Sequence, residues 1–502
     1  MKKIAFAGTD GRTLLWALVT ATATSDVDTE SYEGIVVRGT PAMPKFVAEM
    51  KWPVQFVETR SNSVDDYTLG ILDALRGGAV DYVVPMPEAL LFEGLVDRLE
   101  EEGFGDRVMG LTREGAFVEG DKLACKRLCR DAGVPVAPRW EEVDARDYPK
   151  VLETGLEMLH EFGGVVLKYP YSAGGKGARV VLSTWEFREV YDTLIQDYRD
   201  SYKAQFGKKG PWPLLMEARM SGAEISFTIF VDAAGHHRIL PTAMDYPERF
   251  EGPASKANPI TGGTGAISPH PMESAALIEM AGRRIADPLV EALRARNLLR
   301  PCILYPGCFV SLDGSKQPRE IRVCEINIRP GEPEAQPVAR RLRNLGALIA
   351  AAMEGRLDVV EPEVREDQLS VCFALMTGPG GPDGQKGYPW SCTKGEPVDL
   401  DWKYLRRKGI QVIPSAMTWD EPEACFKSDG TRVAYLNANV TVKPQDRQSE
   451  VGRRISGKLL AAFDNGKIRV VPREDETGNR LALRRDIGSH FATAANIFPG
   501  QK

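Results

Sequence analysis

The sequence lacks the cysteine and histidine patterns that mark disulfide frameworks and zinc sites. Its eight cysteines include no C-x-x-C pair, and its five histidines form no helical metal pair. No stretch approaches about 20 uninterrupted apolar residues, which excludes a membrane-spanning helix. These absences predict a cytoplasmic protein without disulfides and without a membrane partner.

An excess of positive charge is also missing. Lys and Arg total 64 against 70 Asp and Glu, giving a net charge of -6. This balance disfavours nucleic acid or an anionic membrane as the main partner and leaves small molecules as the expected ligands. The length of 502 residues exceeds one hydrophobic core and predicts about two to four packed units.

Hydrophobic patterning divides the chain into three predicted domains. Residues 1–117 alternate apolar runs with amphipathic stretches in a βαβαβ order, which predicts an N-terminal parallel α/β sheet with ligands at the carboxyl ends of its strands. Residues 118–355 carry a glycine-rich loop between strands and, later, a long hairpin turning near Asp313 and Gly314. Residues 356–502 are strand-rich and predict an α+β domain. A lid subdomain is expected at about 135–215, with 196–213 as an exposed insertion.

A glycine-rich loop inside VVLKYPYSAGGKGARVV, residues 165–181, is the most informative segment. A Walker loop is excluded because Gly177 and then a β-branched strand, rather than Ser or Thr and a helix, follow Lys176. A Rossmann fingerprint is excluded because no G-x-G-x-x-G opens a helix. The remaining interpretation is a hinged flap over a triphosphate, formed by Gly174, Gly175, Lys176 and Gly177.

Two lysines that precede this loop in the sequence are candidate phosphate ligands. Lys168 ends the strand before the loop, and Lys122 begins a helix about forty residues earlier. If both project into one cleft, they neutralise phosphate charge as point cations. Taken singly, either residue is better explained as a solvated surface lysine. Their combination with the glycine loop favours the nucleotide site.

The segment REIRVCEINIRPGEPE predicts a metal site on a strand. A period of two places Ile321, Val323, Glu325, Asn327 and Arg329 on one face. A carboxylate and an amide oxygen suit a hard divalent ion such as magnesium, bridged to phosphates. Arg329 is then positioned for a phosphate or a developing oxyanion. The alternative is a strand that simply emerges into solvent.

These motifs, in this order, resemble the ATP-grasp ligases, and the resemblance extends over nearly the whole chain to the glycinamide ribonucleotide synthetase (phosphoribosylamine–glycine ligase) family. Singly each motif is weak, but together they are highly specific. In this sequence they read Gly8 to Arg12, Pro87-Glu88, Glu119 to Lys122, the flap at 174–177, Thr261 to Pro269, Glu325 to Gln336, and Arg484 to Gly488.

The resemblance implies a role for each of the following residues. For ATP it implies Lys122 and Lys168 at the phosphates, Gly174, Gly175 and Gly177 in the flap, Glu217, Ala218, Arg219 and Met220 at the adenine, and Glu224 near the ribose. It implies that Gly11, Arg12 and Glu88 face the amine, and that Pro87, Thr261, Gly262, Gly263 and Gly265 also bind substrate. Glu325 and Asn327 are the implied magnesium ligands, with Arg329 and Lys176 as catalytic residues.

The family resemblance implies an enzyme that uses ATP and Mg²⁺, or Mn²⁺, to join glycine to 5-phosphoribosylamine through an acyl phosphate. It further implies purine biosynthesis in the cytoplasm by a monomer or homodimer. The sequence departs from the family motifs on the acceptor side, at Thr13, Leu14, Met86, Tyr246, Ile260 and Pro330 to Glu332. A paralogous ligase for another amino acid or amine therefore stays open. So do a regulatory nucleotide-binding protein and, more weakly, biotin carboxylase kinship.

Overall fold

The computed structural model describes residues 1–22, 25, 30–171, 177–207, 210–252, 254–255, 257–315, 317–378, 387–392, 394–442, 448–470 and 481–487. No helix within these ranges is both long enough and apolar enough to cross a bilayer.

The N-terminal part is a parallel sheet with covering helices, as its alternating pattern predicts. Its strands run in the order β3-β2-β1-β4. They are β1 (Lys2–Gly8), β2 (Tyr32–Arg38), β3 (Val54–Val57) and β4 (Tyr82–Pro85). The helices are α1 (Gly11–Thr22), α2 (Met43–Met50), α3 (Val64–Arg76), α4 (Glu88–Phe92), α5 (Leu95–Glu101), α6 (Phe117–Gly120) and α7 (Lys122–Asp131). The carboxyl ends of β1 and β4 therefore present residues 8–12 and 85–88 at one edge of the sheet.

The next part is an antiparallel sheet, ordered β5-β8-β6-β7, with two helices. The strands are β5 (Trp140–Asp144), β6 (Val165–Lys168), β7 (Ala178–Val181) and β8 (Pro213–Ala218). The helices are α8 (Tyr148–Phe162) and α9 (Phe187–Phe206). Of the predicted exposed insertion at 196–213, residues 196–206 continue α9; most of their side chains are exposed, whereas Tyr202 is fully buried against Trp212, with the rings stacked at 5.1 Å. Aromatic burial outweighs the charged composition of the segment.

A long hairpin dominates residues 219–355. The strands are β9 (Ala223–Ser226), β10 (Ile229–Val231), β11 (His237–Ile239), β12 (Met244–Asp245), β13 (Gly265–Ser268), β14 (Cys302–Leu312) and β15 (Pro318–Asn327). The helices are α10 (Ala275–Ala281), α11 (Asp287–Ala295), α12 (Ala335–Arg341) and α13 (Leu345–Met353). Strands β14 and β15 form the hairpin expected near Asp313, and β9 and β10 pair with β14. One face of this sheet packs on the core, and the opposite face, here called the cleft face, is the one that carries Glu325 and Asn327.

The C-terminal part is strand-rich, as predicted. Its strands are β16 (Gln368–Thr377), β17 (Pro397–Leu400), β18 (Gln411–Pro414), β19 (Met417–Asp420), β20 (Cys425–Ser428), β21 (Arg432–Thr441), β22 (Ile468–Val470) and β23 (Leu481–Ala482). Its helices are α14 (Trp402–Arg407) and α15 (Gln448–Asp464). One sheet runs β12-β13-β16-β21-β18, so it crosses the domain boundary predicted at residue 355. The C-terminal part is thereby joined to the loop between β12 and β13.

The packing of α8 gives a direct test of this fold. A methyl group added at Gly155 would lie 2.1 Å from Cε2 of the buried Phe187. We expect Gly155→Ala to lower the free energy of unfolding by about 1–3 kcal/mol, because the ring must move in a packed core. Gly457→Ala on α15 is the control, since nothing lies within 4 Å of the added methyl, and we expect it to gain up to about 1 kcal/mol from helix propensity. Thermal unfolding measures both; equal midpoints would contradict this packing.

Candidate active site

A β-bulge decides which side chains of β15 face the cleft. Gly307 pairs with Glu325 but Cys308 pairs with Val323, so Cys324 is an extra residue in β15. Ile321 and Val323 are buried in the core before the bulge, and Ile326 and Ile328 after it. The prediction that Ile321, Val323, Glu325 and Asn327 share one face is therefore wrong. Glu325 and Asn327 lie opposite the core, toward the cleft.

The predicted metal pair is intact on this cleft face. Asn327 Nδ2 lies 3.5 Å from Glu325 Oε1, so the two side chains are neighbours. Gly307, directly across the hairpin, leaves room beside Glu325 because a methyl group there would stand 3.8 Å from its Cγ. Among the described residues no group of three or more His, Cys, Asp or Glu side chains is arranged to hold a metal ion. A divalent ion at Glu325 and Asn327 therefore requires oxygen ligands from a bound phosphate or from water.

A buried charge triad stands beside the metal pair. Glu217, whose side chain is 1% exposed, forms an ion pair with Lys168 and, at 2.6 Å, with Lys126. Burial disfavours a charged carboxylate, but the two ammonium groups outweigh it and hold the pKa of Glu217 below its usual value. Lys126 also donates to the carbonyl oxygens of Val323 and Cys324, at 3.2 and 2.9 Å. The triad thus joins β6 and β8 to the bulge of β15.

Both predicted phosphate lysines lie in the same cleft as Glu325. Lys168 Nζ is 3.5 Å from the thiol sulfur of Cys324, the residue before Glu325. Lys122 begins α7, where the Asp121 side chain caps the helix, and its Nζ donates to the carbonyl oxygen of Tyr171 at 3.0 Å. Burial lowers the pKa of Lys122, with the charge of Glu325 opposing and that of Lys168 adding to this shift. The lysines and the metal pair therefore share one electrostatic environment.

Several carboxylates line the cleft floor next to the metal pair. Glu224 lies on β9, and burial together with the charges of Glu325 and Glu248 raises its pKa to about 7. Burial also raises the pKa of Asp245 well above its usual value, reinforced by Glu334. Tyr305 donates its hydroxyl to Glu334 at 2.7 Å. The cleft floor is therefore acidic, and a bound cation or substrate ammonium group lowers its electrostatic cost.

The loop after β1 meets the turn after β15 through a buried arginine. Arg12 forms ion pairs with Asp10 at 2.6 Å and with Glu332 at 3.2 Å. Its backbone N–H also donates to Glu332 at 3.1 Å, and its guanidinium donates to the carbonyl oxygen of Pro330. These contacts fix the N-terminal sheet edge against the metal strand.

Arg329, two residues after Asn327, forms further ion pairs with the N-terminal part of the chain. Its Nε lies 3.2 Å from Glu88, and its Nη2 lies 3.2 Å from Glu119. Glu119 in turn accepts from the backbone N–H of Ile328 at 2.9 Å. Glu88 follows Pro87, which caps α4. The structure therefore brings together Arg12, Glu88 and Arg329, which sequence reasoning assigned to two different substrates.

The loop between β12 and β13 forms the opposite wall. Thr261 donates its hydroxyl to the carbonyl oxygen of Pro247 at 2.8 Å, and the N–H of Gly262 donates to the Tyr388 hydroxyl at 2.9 Å. Gly263 has φ +96°, a conformation that favours glycine. Gly265 instead serves strand packing, because a methyl group there would lie 2.2 Å from Cδ1 of Ile487.

Comparisons with known proteins agree with this geometry. Residues 120–335 match the family model for the ATP-grasp (A) domain of phosphoribosylglycinamide synthetase. A phosphoribosylamine–glycine ligase of Allochromatium vinosum is 33% identical over 336 residues, covering 65% of this chain and 70% of that protein. One from Caldanaerobacter subterraneus subsp. tengcongensis is 30% identical over 317 residues, covering 63% and 68%. The chain belongs to the phosphoribosylamine–glycine ligase family.

Solved structures show the same fold. The crystal structure of phosphoribosylamine–glycine ligase from Thermotoga maritima has a TM-score of 0.67 at 20% identity, covering 97% of this chain and all of that one. A biotin carboxylase from Campylobacter jejuni has a TM-score of 0.60 at 13% identity, covering 99% and 97%. The predicted architecture, a parallel N-terminal sheet, an ATP-grasp domain and a strand-rich C-terminal part, is confirmed.

The departures from the family motifs occupy different environments. Thr13 donates its hydroxyl to Asp10 at 3.0 Å, and Met86 is fully buried. The ring of Tyr246 packs against the Arg484 guanidinium at 5.2 Å, whereas Ile260 is exposed. Glu332 is different, because it touches Arg12 at the acceptor edge.

Part of the predicted site lies outside the described residues, namely Gly174, Gly175 and Lys176. Gly177, which follows them, accepts from the backbone N–H of Tyr169 at 2.8 Å. The predicted adenine segment is the crossover from β8 to β9, where Ala218 is buried, Met220 is half-buried and Arg219 is exposed.

Sequence reasoning missed Lys126, Glu119 and Arg432. Lys126 follows Lys122 by four residues on α7, so helical spacing places both lysines on one face. Glu119 belongs to the quoted Glu-Gly-Asp-Lys motif, whose spacing gave no role for the acid. Arg432 opens β21 about a hundred residues after the metal strand. Only the pairing of β21 with β16, and of β16 with β13, brings it to the Thr261–Gly263 loop.

Proposed function

We propose that this protein is a phosphoribosylamine–glycine ligase that joins glycine to 5-phosphoribosylamine with ATP and Mg²⁺. The observation that carries the proposal is the shared cleft of Glu325, Asn327, Lys122 and Lys168, since carboxylate and amide oxygens suit a divalent ion and the lysines suit its phosphates. Membership of the family supports the identity of the substrates. The setting we propose is purine biosynthesis in the cytoplasm, by a monomer or homodimer.

The proposed reaction has two steps. The glycine carboxylate attacks the γ-phosphorus of ATP, giving glycyl phosphate and ADP. The amine of phosphoribosylamine then attacks the glycyl carbonyl carbon, forming the amide and releasing phosphate, and the amine proton leaves to solvent or to a carboxylate of the cleft. Lys122, Lys168 and Arg329 stabilise the negative charge of the transferring phosphoryl group. Exclusion of water protects the acyl phosphate from hydrolysis.

The donor set fits a hard divalent cation. When bound, Mg²⁺ neutralises and orients the nucleotide phosphates. Glu325 and Asn327 are the proposed ligands. Glu217 keeps Lys168 in place by pairing with it in the interior. Lys126 fixes the backbone of Cys324, so the strand that carries the metal ligands cannot move independently of Glu217.

The proposed amine site lies where the N-terminal sheet edge meets the turn after β15. Arg12 and Glu88 reach this place from the first domain, and Arg329 from the metal strand. A substrate amine beside Arg329 lies next to the carboxylate that accepts the phosphoryl group. This contiguity is what an acyl-phosphate mechanism needs, because the intermediate does not have to travel.

The first test is ADP release with ATP and Mg²⁺ under four conditions: no addition, glycine, phosphoribosylamine, and both. We expect rapid ADP release only with both substrates, because the acyl phosphate is consumed by the amine. Controls omit Mg²⁺. ADP release that requires neither glycine nor phosphoribosylamine would contradict the proposal. So would the absence of ADP release under all four conditions.

A paralogous ligase is the second candidate, favoured by Glu332 at the acceptor edge. A panel of amino acids and amines in the same assay separates the two. Phosphate release with another pair, together with none from glycine and phosphoribosylamine, would establish the paralogue. Failure of every carboxylate to stimulate ATP turnover would instead support a nucleotide-binding regulatory protein.

A further inference from the structure

Arg432 links two loops of the acceptor wall from the C-terminal part of the chain. Its Nη1 donates to the carbonyl oxygen of Gly262 and lies 3.4 Å from the carbonyl oxygens of both Gly263 and Glu332. One guanidinium nitrogen therefore touches the β12–β13 loop and the turn after the metal strand. The residue therefore lies where the C-terminal part of the chain contacts both of these loops.

Most of the donor capacity of this arginine is unused. A guanidinium has five N–H donors, and in the described part of the chain no acceptor takes a hydrogen bond from Nε or Nη2 of Arg432. Nor does any carboxylate in that part form an ion pair with it, whereas Arg12 is paired with both Asp10 and Glu332. Arg432 thus differs from its neighbour in having charge and donors that the protein leaves unsatisfied.

The surroundings keep these donors accessible. A methyl group at Gly262 would lie 3.7 Å from Nη2 of Arg432, so glycine leaves that nitrogen uncovered. The guanidinium carbon lies 5.7 Å from the ring centre of Tyr388 and 5.8 Å from that of Tyr435. Burial opposes the charge of Arg432, but the two tyrosines and Glu332 outweigh it and hold its pKa above the ordinary value. The group is a permanent cation.

A second unsatisfied group lies beside it. The hydroxyl of Tyr435 is buried and has no hydrogen-bond partner within the described residues. Its ring packs directly on Gly11, where a methyl group would lie 2.7 Å from Cδ2. A buried hydroxyl without a partner destabilises the unliganded protein, because it has lost its hydrogen bonds to water. A ligand that reaches both Tyr435 and Arg432 removes that destabilisation.

We propose that Arg432 is a substrate-binding residue that holds the anionic phosphate group of the amine substrate, with Tyr435 beside it. The inference rests on the proposed function, in which the acceptor is a sugar phosphate. A guanidinium matches phosphate because it presents paired N–H donors to two oxygens. Arg12 positions the loops but is neutralised by its own carboxylates, so Arg432 supplies the positive charge of the acceptor site.

Ribose 5-phosphate is a suitable probe, because it carries the sugar and phosphate but not the amine. We expect it to raise the unfolding temperature of the wild-type protein, since ligands that bind only the native state stabilise it. Ribose alone is the comparison for the sugar, and inorganic phosphate for the anion. Arg432→Met should weaken ribose 5-phosphate binding about tenfold to a hundredfold. Arg432→Lys should retain part of the affinity, because it keeps the charge but not the paired donors.

Arg340→Met is the matched control. Arg340 is also a cation of this region without a carboxylate partner in the described residues, but its Nε donates to the amide oxygen of Asn439, away from the loops of the acceptor wall. We expect this variant to bind ribose 5-phosphate as the wild type does. Binding of MgADP should be unchanged in all three variants. In turnover, Arg432→Met should raise KM for phosphoribosylamine by a similar factor while KM for ATP stays the same.

The outcomes separate this inference from the proposed function. If wild-type protein makes product from glycine and phosphoribosylamine, and Arg432→Met binds ribose 5-phosphate normally, the role of Arg432 is refuted and the function stands. If Arg432→Met weakens MgADP and ribose 5-phosphate equally, its role is structural and the inference is also refuted. If wild-type protein fails to use phosphoribosylamine at all, the proposed function is refuted, and the inference about Arg432, which rests on it, is refuted with it.

Discussion

Glu325→Ala is expected to lower kcat/KM by about a thousandfold or more, because a lost metal ligand removes several kcal/mol of charge stabilisation from phosphoryl transfer. The side chain is exposed on the cleft face of β15 and contributes nothing to the core. The variant should therefore unfold at the wild-type temperature. Steady-state ADP release and a thermal melt measure the two quantities on the same preparation.

The control for this change is Glu320→Ala, which removes another exposed carboxylate from the same strand. Glu320 pairs with Arg322 at the surface, on the far side of the bulge. We expect wild-type turnover. Stabilisation by MgADP, compared with metal-free ADP, adds a readout that does not depend on activity. If Glu325→Ala keeps full turnover or the full metal-dependent stabilisation, Glu325 is not a metal ligand.

Glu217→Gln should destabilise the protein by about 3–5 kcal/mol, the range for breaking a buried ion pair by removing one partner. The substitution keeps the shape of the side chain but leaves Lys126 and Lys168 as two buried cations without their shared carboxylate. KM for ATP should rise as well, because Lys168 loses the partner that orients it. Chemical denaturation and ATP titration measure these effects.

A surface pair supplies the comparison. Glu142→Gln breaks the exposed pair with Arg127, and exposed pairs contribute about 0–1 kcal/mol. A second variant, Lys126→Met combined with Glu217→Gln, removes one of the unpaired cations and should recover part of the lost stability. Equal stability of Glu217→Gln and Glu142→Gln would show that the triad is not the electrostatic unit inferred from its geometry.

Local patterning carried much of the fold. The helix Tyr148–Phe162 is encoded locally, because its apolar period and the glycine that ends it, Gly163, are both short-range signals. The hairpin of β14 and β15 also followed from short-range signals, whereas strict alternation placed Glu325 and Asn327 on the same face as the core residues Ile321 and Val323. Helices and hairpins that depend on residues close in sequence can therefore be predicted from the sequence alone.

The failures have equally physical causes. The segment predicted as an insertion at 196–213 has many charges, yet residues 196–206 continue α9 and its aromatic side chains pack inward. Lys126 is one of several basic residues in α7, and only the interior position of Glu217 distinguishes it. Arg432 reaches the acceptor wall through long-range strand pairing, which single-sequence patterns do not specify. The charge of a residue can be read from the sequence, but its role depends on the residues that contact it in the folded protein.

The bulge in β15 has a further consequence for how the metal motif is encoded. One inserted residue, Cys324, reverses the inside and outside of everything that follows it in the strand. A regular strand of the same residues, without the bulge, would turn Ile326 and Ile328 toward the open face and direct Glu325 and Asn327 into the core. Whether an acid-x-amide sequence faces the core or the open side of the sheet therefore depends on the strand register set by the residues before it.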